Sequence, residues 1–184
     1  MIEQAIRTII TDLGENPDRE GLRDTPSRMR RAYEFLTRGY AMDIEKILGD
    51  AIFNEECNHM IIVRNIELYS LCEHHMLPFF GKCHIGYIAA DRVYGVSKLA
   101  REVDCFASRL QLQERLTQQI AQSLMKPINA EGVGVVIEAR HLCMMMRGVE
   151  KQNSSMITSA MLGSFRDENA TRMEFLRLIG QECS

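Results

Sequence analysis

The sequence lacks the features that mark membrane, secreted or nucleic-acid-binding proteins. No apolar run approaches the roughly 20 residues that a helix needs to cross a bilayer. The first residues show no basic stretch followed by a long apolar segment, so they do not resemble a signal peptide. A formal net charge of −3 argues against a broad nucleic-acid-binding face. We therefore expect a cytoplasmic protein with no membrane or nucleic-acid partner.

Six cysteines stand in a chain of 184 residues, which is long enough for one domain with a substantial core. They could form three disulfides, but in a reducing compartment cysteines clustered with histidines more often bind metal or take part in chemistry. We expect Cys83 and Cys105 in the core, and Cys57 and Cys183 at the periphery.

Hydrophobic spacing predicts helices in the first third of the chain and strands after it. Helices are predicted at 2–13, at 25–36 after the start signal Thr25-Pro26, and in a short segment capped by Asp43. Alternation and β-branched residues predict strands at 60–70, 81–89, 132–146 and 154–162. A helix pair at 97–124 and a final helix at 167–179 complete the pattern.

This order predicts an α+β fold with an antiparallel β-sheet and a helix pair, preceded by an N-terminal helical segment. The predicted division places that segment at 1–55 and the functional domain at 56–184. The strand at 132–146 is long beside the ~5–6 residues that are typical. Such a strand suggests a sheet extended by neighbouring copies, and hence an oligomer.

Two clusters of soft ligands are the strongest chemical signal in the sequence. Cys72 and His75 have the spacing at which a turn presents two ligands to one ion, and His141 and Cys143 share one face of the predicted strand. Cys72, His75 and Cys143 would leave a fourth position open, as in catalytic zinc sites, with His74 and His141 free to move protons. A closed structural site with His141 as fourth ligand fits the spacing equally well. A third interpretation makes Cys143 a buried core cysteine.

A second cluster, formed by Ser97, Lys98 and Arg101 at a predicted helix start, could bind phosphate. Ser97 is a candidate N-cap there, and Arg147 could add a bidentate phosphate contact. Glu114 offers a carboxylate that could accept two parallel bonds from the N–H donors of guanine. Taken alone, each of these residues fits an ordinary solvated helix position.

Together these residues lie in five motifs that resemble the GTP cyclohydrolase I family. In chain order the motifs are Cys72-Glu-His-His75, Gly95-Val-Ser-Lys98-Leu-Ala-Arg101, Gln113-Glu-Arg-Leu-Thr-Gln-Gln119, His141-Leu-Cys143-Met-x-x-Arg147-Gly and Thr171-Arg-x-Glu-Phe-Leu176. The resemblance covers most of the chain, and five motifs in order are far more specific than any one of them.

The resemblance implies hydrolysis of the GTP imidazole ring at C8, release of formate and formation of 7,8-dihydroneopterin triphosphate, the first step of tetrahydrofolate and pterin biosynthesis. It implies the tunnelling fold, a homodecamer with active sites at subunit interfaces, and Zn²⁺ as cofactor. By the same resemblance, the zinc ligands are Cys72, His75 and Cys143, and the proton-transfer residues are His74 and His141. Gln113 and Glu114 are implied to recognise guanine. The implied triphosphate contacts are Ser97, Lys98, Arg101 and Arg147, and Arg28 is implied to reach across an interface.

Three other interpretations are weighed against this one. The first is a related enzyme of the same fold, either an archaeal-type cyclohydrolase that ends in a cyclic phosphate or a nitrile reductase, and the reductase should lack the three-ligand zinc set. The second is a non-catalytic purine-binding or scaffold protein with structural zinc, which would not need His74 and His141. A zinc nucleobase deaminase would carry a His-x-Glu and Pro-Cys-x-x-Cys signature, which is absent.

Overall fold

A computed structural model describes residues 1–49, 51–89 and 91–180 of the chain. Contacts group Met1–Arg38 into one compact unit and Gly39–Ser184 into a second. Cys183 falls outside the described residues. Within the described ranges, no helix is both long and apolar enough to span a bilayer. The predicted division at 55 and 56 lies elsewhere and stays a prediction.

The first unit contains two helices, α1 (Ile2–Asp12) and α2 (Thr25–Leu36), packed against each other. Arg30 links them, since its guanidinium donates to Glu3 at 2.7 Å and to Glu34 at 2.8 Å. Both helices match their predicted positions.

The second unit is built from strands and helices in mixed order. After a 3-10 turn at Arg38–Ala41, its elements are α3 (Ile44–Gly49), β1 (Ile52–Asn54), β2 (Ile61–Cys72), β3 (Pro78–Ile88), β4 (Arg92–Tyr94), α4 (Val96–Ala107), β5 (Leu110–Gln111), α5 (Gln113–Met125), β6 (Gly132–His141), α6 (Leu142–Met145), β7 (Met156–Gly163), α7 (Ser164–Asp167) and α8 (Asn169–Gly180). Asp43 caps α3 as predicted, because its carboxylate accepts from the Lys46 backbone N–H at 3.2 Å.

The main sheet has the strand order β5–β2–β3–β6–β7. The four long strands pair antiparallel, and the short β5 adds a parallel edge beside the last residues of β2. One face of the sheet packs on α4 and α5 around an apolar core that includes Ile85, Val103, Ile120 and Val135. The predicted α+β fold with an antiparallel sheet and a helix pair is confirmed.

A smaller cluster formed by Phe165, Phe175 and Val136 covers part of the opposite face of the sheet. The strands can approach the two rings because glycines stand beneath them. A Cβ on Gly134 would lie 2.5 Å from Phe165, and one on Gly86 would lie 2.7 Å from Phe175. The close approach of α7 and α8 to the sheet therefore requires glycine at these two positions.

Two details of the sequence-based interpretation are wrong. The strand predicted at 132–146 ends at His141, and Leu142–Met145 forms a helical turn, so Cys143 does not share a strand face with His141. Cys57 is buried rather than peripheral, and its Sγ lies 3.5 Å from Nε2 of His59. The expected burial of Cys83 and Cys105 is confirmed.

An unusual polar group lies within the helix pair. Glu102 of α4 is completely buried, and its Oε1 contacts the hydroxyl of Ser123 on α5 while its Oε2 has no hydrogen-bond partner. Burial raises the pKa of Glu102 to about 8, although the Ser123 contact opposes that shift. The neighbouring Cys83 and Tyr94 have raised pKa values too, and burial is the main cause. The folded protein therefore holds a neutral carboxyl inside its core at neutral pH.

We expect Glu102→Gln to stabilise the protein increasingly as the pH rises. Between about pH 5 and pH 8 the unfolded chain loses this proton while the folded chain keeps it, so the free energy of unfolding falls with rising pH. The amide cannot ionise, so the variant escapes that loss, which amounts to on the order of a few kcal/mol. Thermal melting of both proteins across this range measures the difference. Glu131→Gln, at an exposed glutamate, should behave like the parent, and a Glu102→Gln difference that does not change with pH would contradict the prediction.

Candidate metal centre and active site

The first part of the site is the turn that joins β2 to β3. Cys72 ends β2, and its backbone N–H donates to the Leu77 carbonyl at 2.9 Å, while the Met76 N–H donates back to the Cys72 carbonyl at 2.8 Å. Met76 closes the turn with a left-handed φ of 53°. The turn buries Cys72 and leaves His74 and His75 exposed, with their ring centroids 6.2 Å apart.

The second part comes from the end of β6. β3 and β6 are antiparallel, and Phe79 near the start of β3 pairs with His141 at the end of β6. The residues that follow β6 therefore lie at the same end of the strands as the β2–β3 turn. The helical turn α6 then presents Cys143. The ligand atoms of Cys72, His75 and Cys143 all lie within 4.8 Å of one another. The structure brings together the three residues that the sequence singled out, although the sequence placed Cys143 on the wrong element, and their role as metal ligands stays a prediction.

The chemistry of this group suits zinc. Two sulfurs and one imidazole nitrogen are borderline-soft donors, and three protein ligands leave one tetrahedral position for another group. Burial raises the pKa of Cys143, and the adjacent Cys72 thiol raises it further. A bound cation relieves this repulsion, because it stabilises both thiolates. Cys143 is only partly buried, which argues against a purely structural core cysteine.

His141 stands beside this group with both its ring plane and one nitrogen held. Its ring stacks on Phe79 with centroids 4.6 Å apart and planes 7° apart. Its Nε2 lies 2.8 Å from Oε1 of Gln113. Burial lowers the pKa of His141, while the Glu114 carboxylate opposes that shift. His141 is not a member of the three-residue ligand group, which supports an open site.

Two arginines connect the site to its surroundings. Arg147 donates to the Cys143 carbonyl at 3.2 Å and has Nη1 3.4 Å from Nε2 of His75. Arg115 of α5 forms a two-bond ion pair with Glu73 at 2.6 and 3.2 Å, and its hydrogen bond lowers the pKa of that carboxyl. The Arg115–Glu73 ion pair joins the β2–β3 turn, which carries His75, to α5, which carries Glu114.

The two residues predicted to bind guanine differ in exposure: Glu114 is exposed and Gln113 is buried. Glu114 is exposed at the second position of α5, where the first backbone N–H groups lack acceptors within the helix. Gln113 is 1% exposed and its side chain faces the sheet.

The predicted phosphate residues lie apart from the metal ligands. Lys98 and Arg101 line a cleft with residues of α3, among them Lys46, which the sequence analysis missed. Ser97 is not the N-cap, because Gly95 holds that position. From there α4 rises about 18 Å over its 12 residues before the chain reaches β5, which pairs with the end of β2. Within one chain, the basic cluster lies on the N-terminal half of α4, whereas the C-terminal end of the helix leads to the strand beside Cys72.

Two further contributors were missed by the sequence analysis. Phe79 supports His141 and Arg115 holds Glu73, and neither carries a chemical signature of its own. Arg28, predicted to reach across an interface, pairs with Asp24 at 3.3 Å in the first unit.

Fold and site together define an α+β protein with a Cys-His-Cys metal-ligand group beside a partly buried histidine. The sequence model for GTP cyclohydrolase I matches residues 2–180. The chain belongs to the GTP cyclohydrolase I family, which confirms the resemblance.

Curated relatives match over nearly their whole length. GTP cyclohydrolase 1 1 of Pseudomonas syringae pv. tomato is 58% identical over 98% of this chain and 96% of the relative. GTP cyclohydrolase 1 2 of Pseudomonas putida is 60% identical over 94% of this chain and 93% of the relative. A solved archaeosine synthase QueF-like protein gives a TM-score of 0.48 at 15% identity, covering 56% of this chain and 93% of that one, a likeness too weak to carry an argument.

Cys143→Ala should lower the zinc content well below the roughly one ion per chain expected of the parent, because it removes one of three ligands. Metal analysis after dialysis against a mild chelator measures this. Cys57→Ala is the matched control, since it removes a thiol outside the ligand group. Equal zinc in Cys143→Ala and the parent would contradict the assignment.

Proposed function

We propose that this protein is a GTP cyclohydrolase I. It hydrolyses the imidazole ring of GTP at C8, releases formate and forms 7,8-dihydroneopterin triphosphate at the start of tetrahydrofolate and pterin biosynthesis. The observation that carries this proposal is the convergence of Cys72, His75 and Cys143 at one edge of the sheet, with His141 beside them, in a chain of this family.

Cys72, His75 and Cys143 would hold Zn²⁺ and leave one position open. Zinc in such a site supplies Lewis acidity and lowers the pKa of water towards ~7. The thiolates balance the charge of the ion, and Arg147, hydrogen-bonded to the Cys143 carbonyl, keeps a free positive charge for the phosphates of the substrate.

Glu114 accepts the N1–H and N2–H donors of guanine, and the exposed start of α5 receives the base. Gln113 adjoins it in the predicted base pocket. The Glu73–Arg115 ion pair holds this helix beside the metal turn, so that base and metal keep a constant separation.

His141 and His74 carry the protons. C8 of GTP becomes electrophilic once N7 is protonated, which His141 can do from its position beside the ligand group. His74 is exposed on the turn itself and can serve the later ring-opening and ring-closing transfers. Burial keeps the pKa of His141 low, so the neutral imidazole can also accept a proton during turnover.

The triphosphate contacts argue for an assembly. Ser97, Lys98 and Arg101 lie in the N-terminal half of α4, roughly 9 to 15 Å along the helix from the end that leads to the strand beside Cys72. A second copy can bring its basic cluster to the ligand group of the first, which makes the active site composite. The homodecamer implied by the family provides such interfaces, and Arg28 is proposed to contribute across one of them.

The setting of the enzyme follows from the same proposal. We place it in the cytoplasm as a homo-oligomer whose small-molecule substrate is GTP, with no nucleic-acid or membrane partner. Residues 56–184 form the catalytic domain and residues 1–55 the helical segment before it.

Purified protein with zinc should convert GTP to formate and to a pterin that fluoresces after oxidation. His141→Ala should keep its zinc and lose turnover by roughly 100-fold or more, because a proton-transfer group is removed and no ligand is. Zinc analysis and the fluorescence assay measure the two effects separately. A parent protein that binds zinc but yields neither pterin nor formate would overturn the enzymatic proposal, and loss of zinc from His141→Ala would favour the closed site.

The composite site predicts complementation between two defective chains. In coexpressed His141→Ala and Arg101→Ala chains, up to about a quarter of the interface sites would combine two intact halves in a symmetric oligomer. Differently tagged chains purified in tandem ensure mixed assemblies, and GTP turnover measures the recovery. Activity no higher than the mean of the two separate variants would show that each site uses a single chain.

A further inference from the structure

Gln113 is buried where a base-binding side chain would need to be accessible. It is the first residue of α5, and its side chain is directed at β6 and β7. Its Nε2 lies 3.1 Å from the Ile137 carbonyl, 2.9 Å from the Met156 carbonyl and 3.1 Å from Oγ1 of Thr158. Three acceptors thus surround one amide nitrogen.

The hydroxyl groups nearby fix the direction of every hydrogen bond in this network. Thr117 lies 2.7 Å from the backbone carbonyl of Gln113, to which it can only donate. Its oxygen is also 2.6 Å from that of Thr158, so Thr158 must donate to Thr117. The Thr158 oxygen is then left to accept from Gln113. A flipped amide would place its oxygen against two carbonyl oxygens, which excludes that orientation.

The oxygen of the same amide then determines which ring nitrogen of His141 carries a hydrogen. Oε1 of Gln113 is an acceptor only, and it lies 2.8 Å from Nε2 of His141. His141 must therefore carry a hydrogen on Nε2 to make this bond. Phe79, stacked on the ring, holds its plane.

We propose that Gln113 is a positioning residue that holds His141 in the tautomer with its proton on Nε2, so that proton transfer to the substrate passes through Nδ1. This role replaces the side-chain contact with guanine that the family resemblance implied for Gln113, and leaves that contact to Glu114. The consequence for turnover rests on the proposed function, whereas the tautomer itself does not.

The tautomer can be measured on the parent protein. Solid-state NMR of zinc-loaded protein labelled with ¹⁵N-histidine separates the two tautomers, and the five histidines are few enough for His141→Ala to assign the signal. The expected result is a neutral His141 with its proton on Nε2. A proton on Nδ1 would overturn the proposal, and this result does not depend on whether the protein turns over GTP.

Kinetics of Gln113→Met provide the second test. The thioether matches the amide in length but cannot accept this bond, so kcat should fall by roughly 10- to 100-fold while KM and zinc content change little. Gln111→Met is the matched control, because Gln111 is also buried, donates to the Phe106 carbonyl and to Gln119, and makes no hydrogen bond with His141 within the described residues.

The control should keep both its kcat and its His141 tautomer. A raised KM with unchanged kcat in Gln113→Met would indicate that Gln113 contacts guanine directly, and it would overturn the proposal. An equal loss of kcat in Gln111→Met would overturn it as well, since burial of any glutamine would then explain the effect.

Discussion

Antiparallel pairing of β3 with both β2 and β6 is the constraint on which the site depends. Leu71 pairs with Pro78, and Phe79 pairs with His141, so the β2–β3 turn and the end of β6 lie together at one end of the strands. Shifting either pairing by one residue would turn the side chains of that strand to the other face. Pairing is regular from Ile66 to Leu71 on β2 and along all of β3–β6, and the inner face of the sheet is packed on two helices, which holds the ligand atoms together without any contribution from the metal.

Gln113 connects the strands of the same sheet to His141, the residue proposed to transfer protons. Its amide bonds to the carbonyls of Ile137 on β6 and Met156 on β7, and its oxygen faces His141 at the end of β6. A buried amide is stabilising only when its donors and acceptor are satisfied, and here all of them are. Movement between the strands would therefore disturb the histidine directly.

Prediction from sequence succeeded where residue type decides the chemistry and failed where tertiary packing decides the geometry. Cys72, His75 and Cys143 were found because thiols and imidazoles at short spacing have few other uses. The helical turn at Cys143 was missed because period-two spacing extends through a segment that leaves the ladder at His141. The burial of Gln113 was not predicted, since nothing in the sequence shows that successive positions at the start of α5 face the sheet and the solvent. Phe79 lacked any signal, because a stacking partner is defined only by the register of two strands.

The direction of α4 is the structural reason for proposing an active site that is shared between copies. Its C-terminal end leads into β5, which pairs with Cys72, whereas its N-terminal end carries Lys98 and Arg101 into a cleft shared with α3. Lys98 and Arg101 lie roughly 14 and 9 Å along the helix from its C-terminal end. We propose that the triphosphate is bound by the basic cluster of another copy. Assembly would then control activity as directly as the metal does, because dissociation would leave every ligand group intact and every active site without its phosphate contacts.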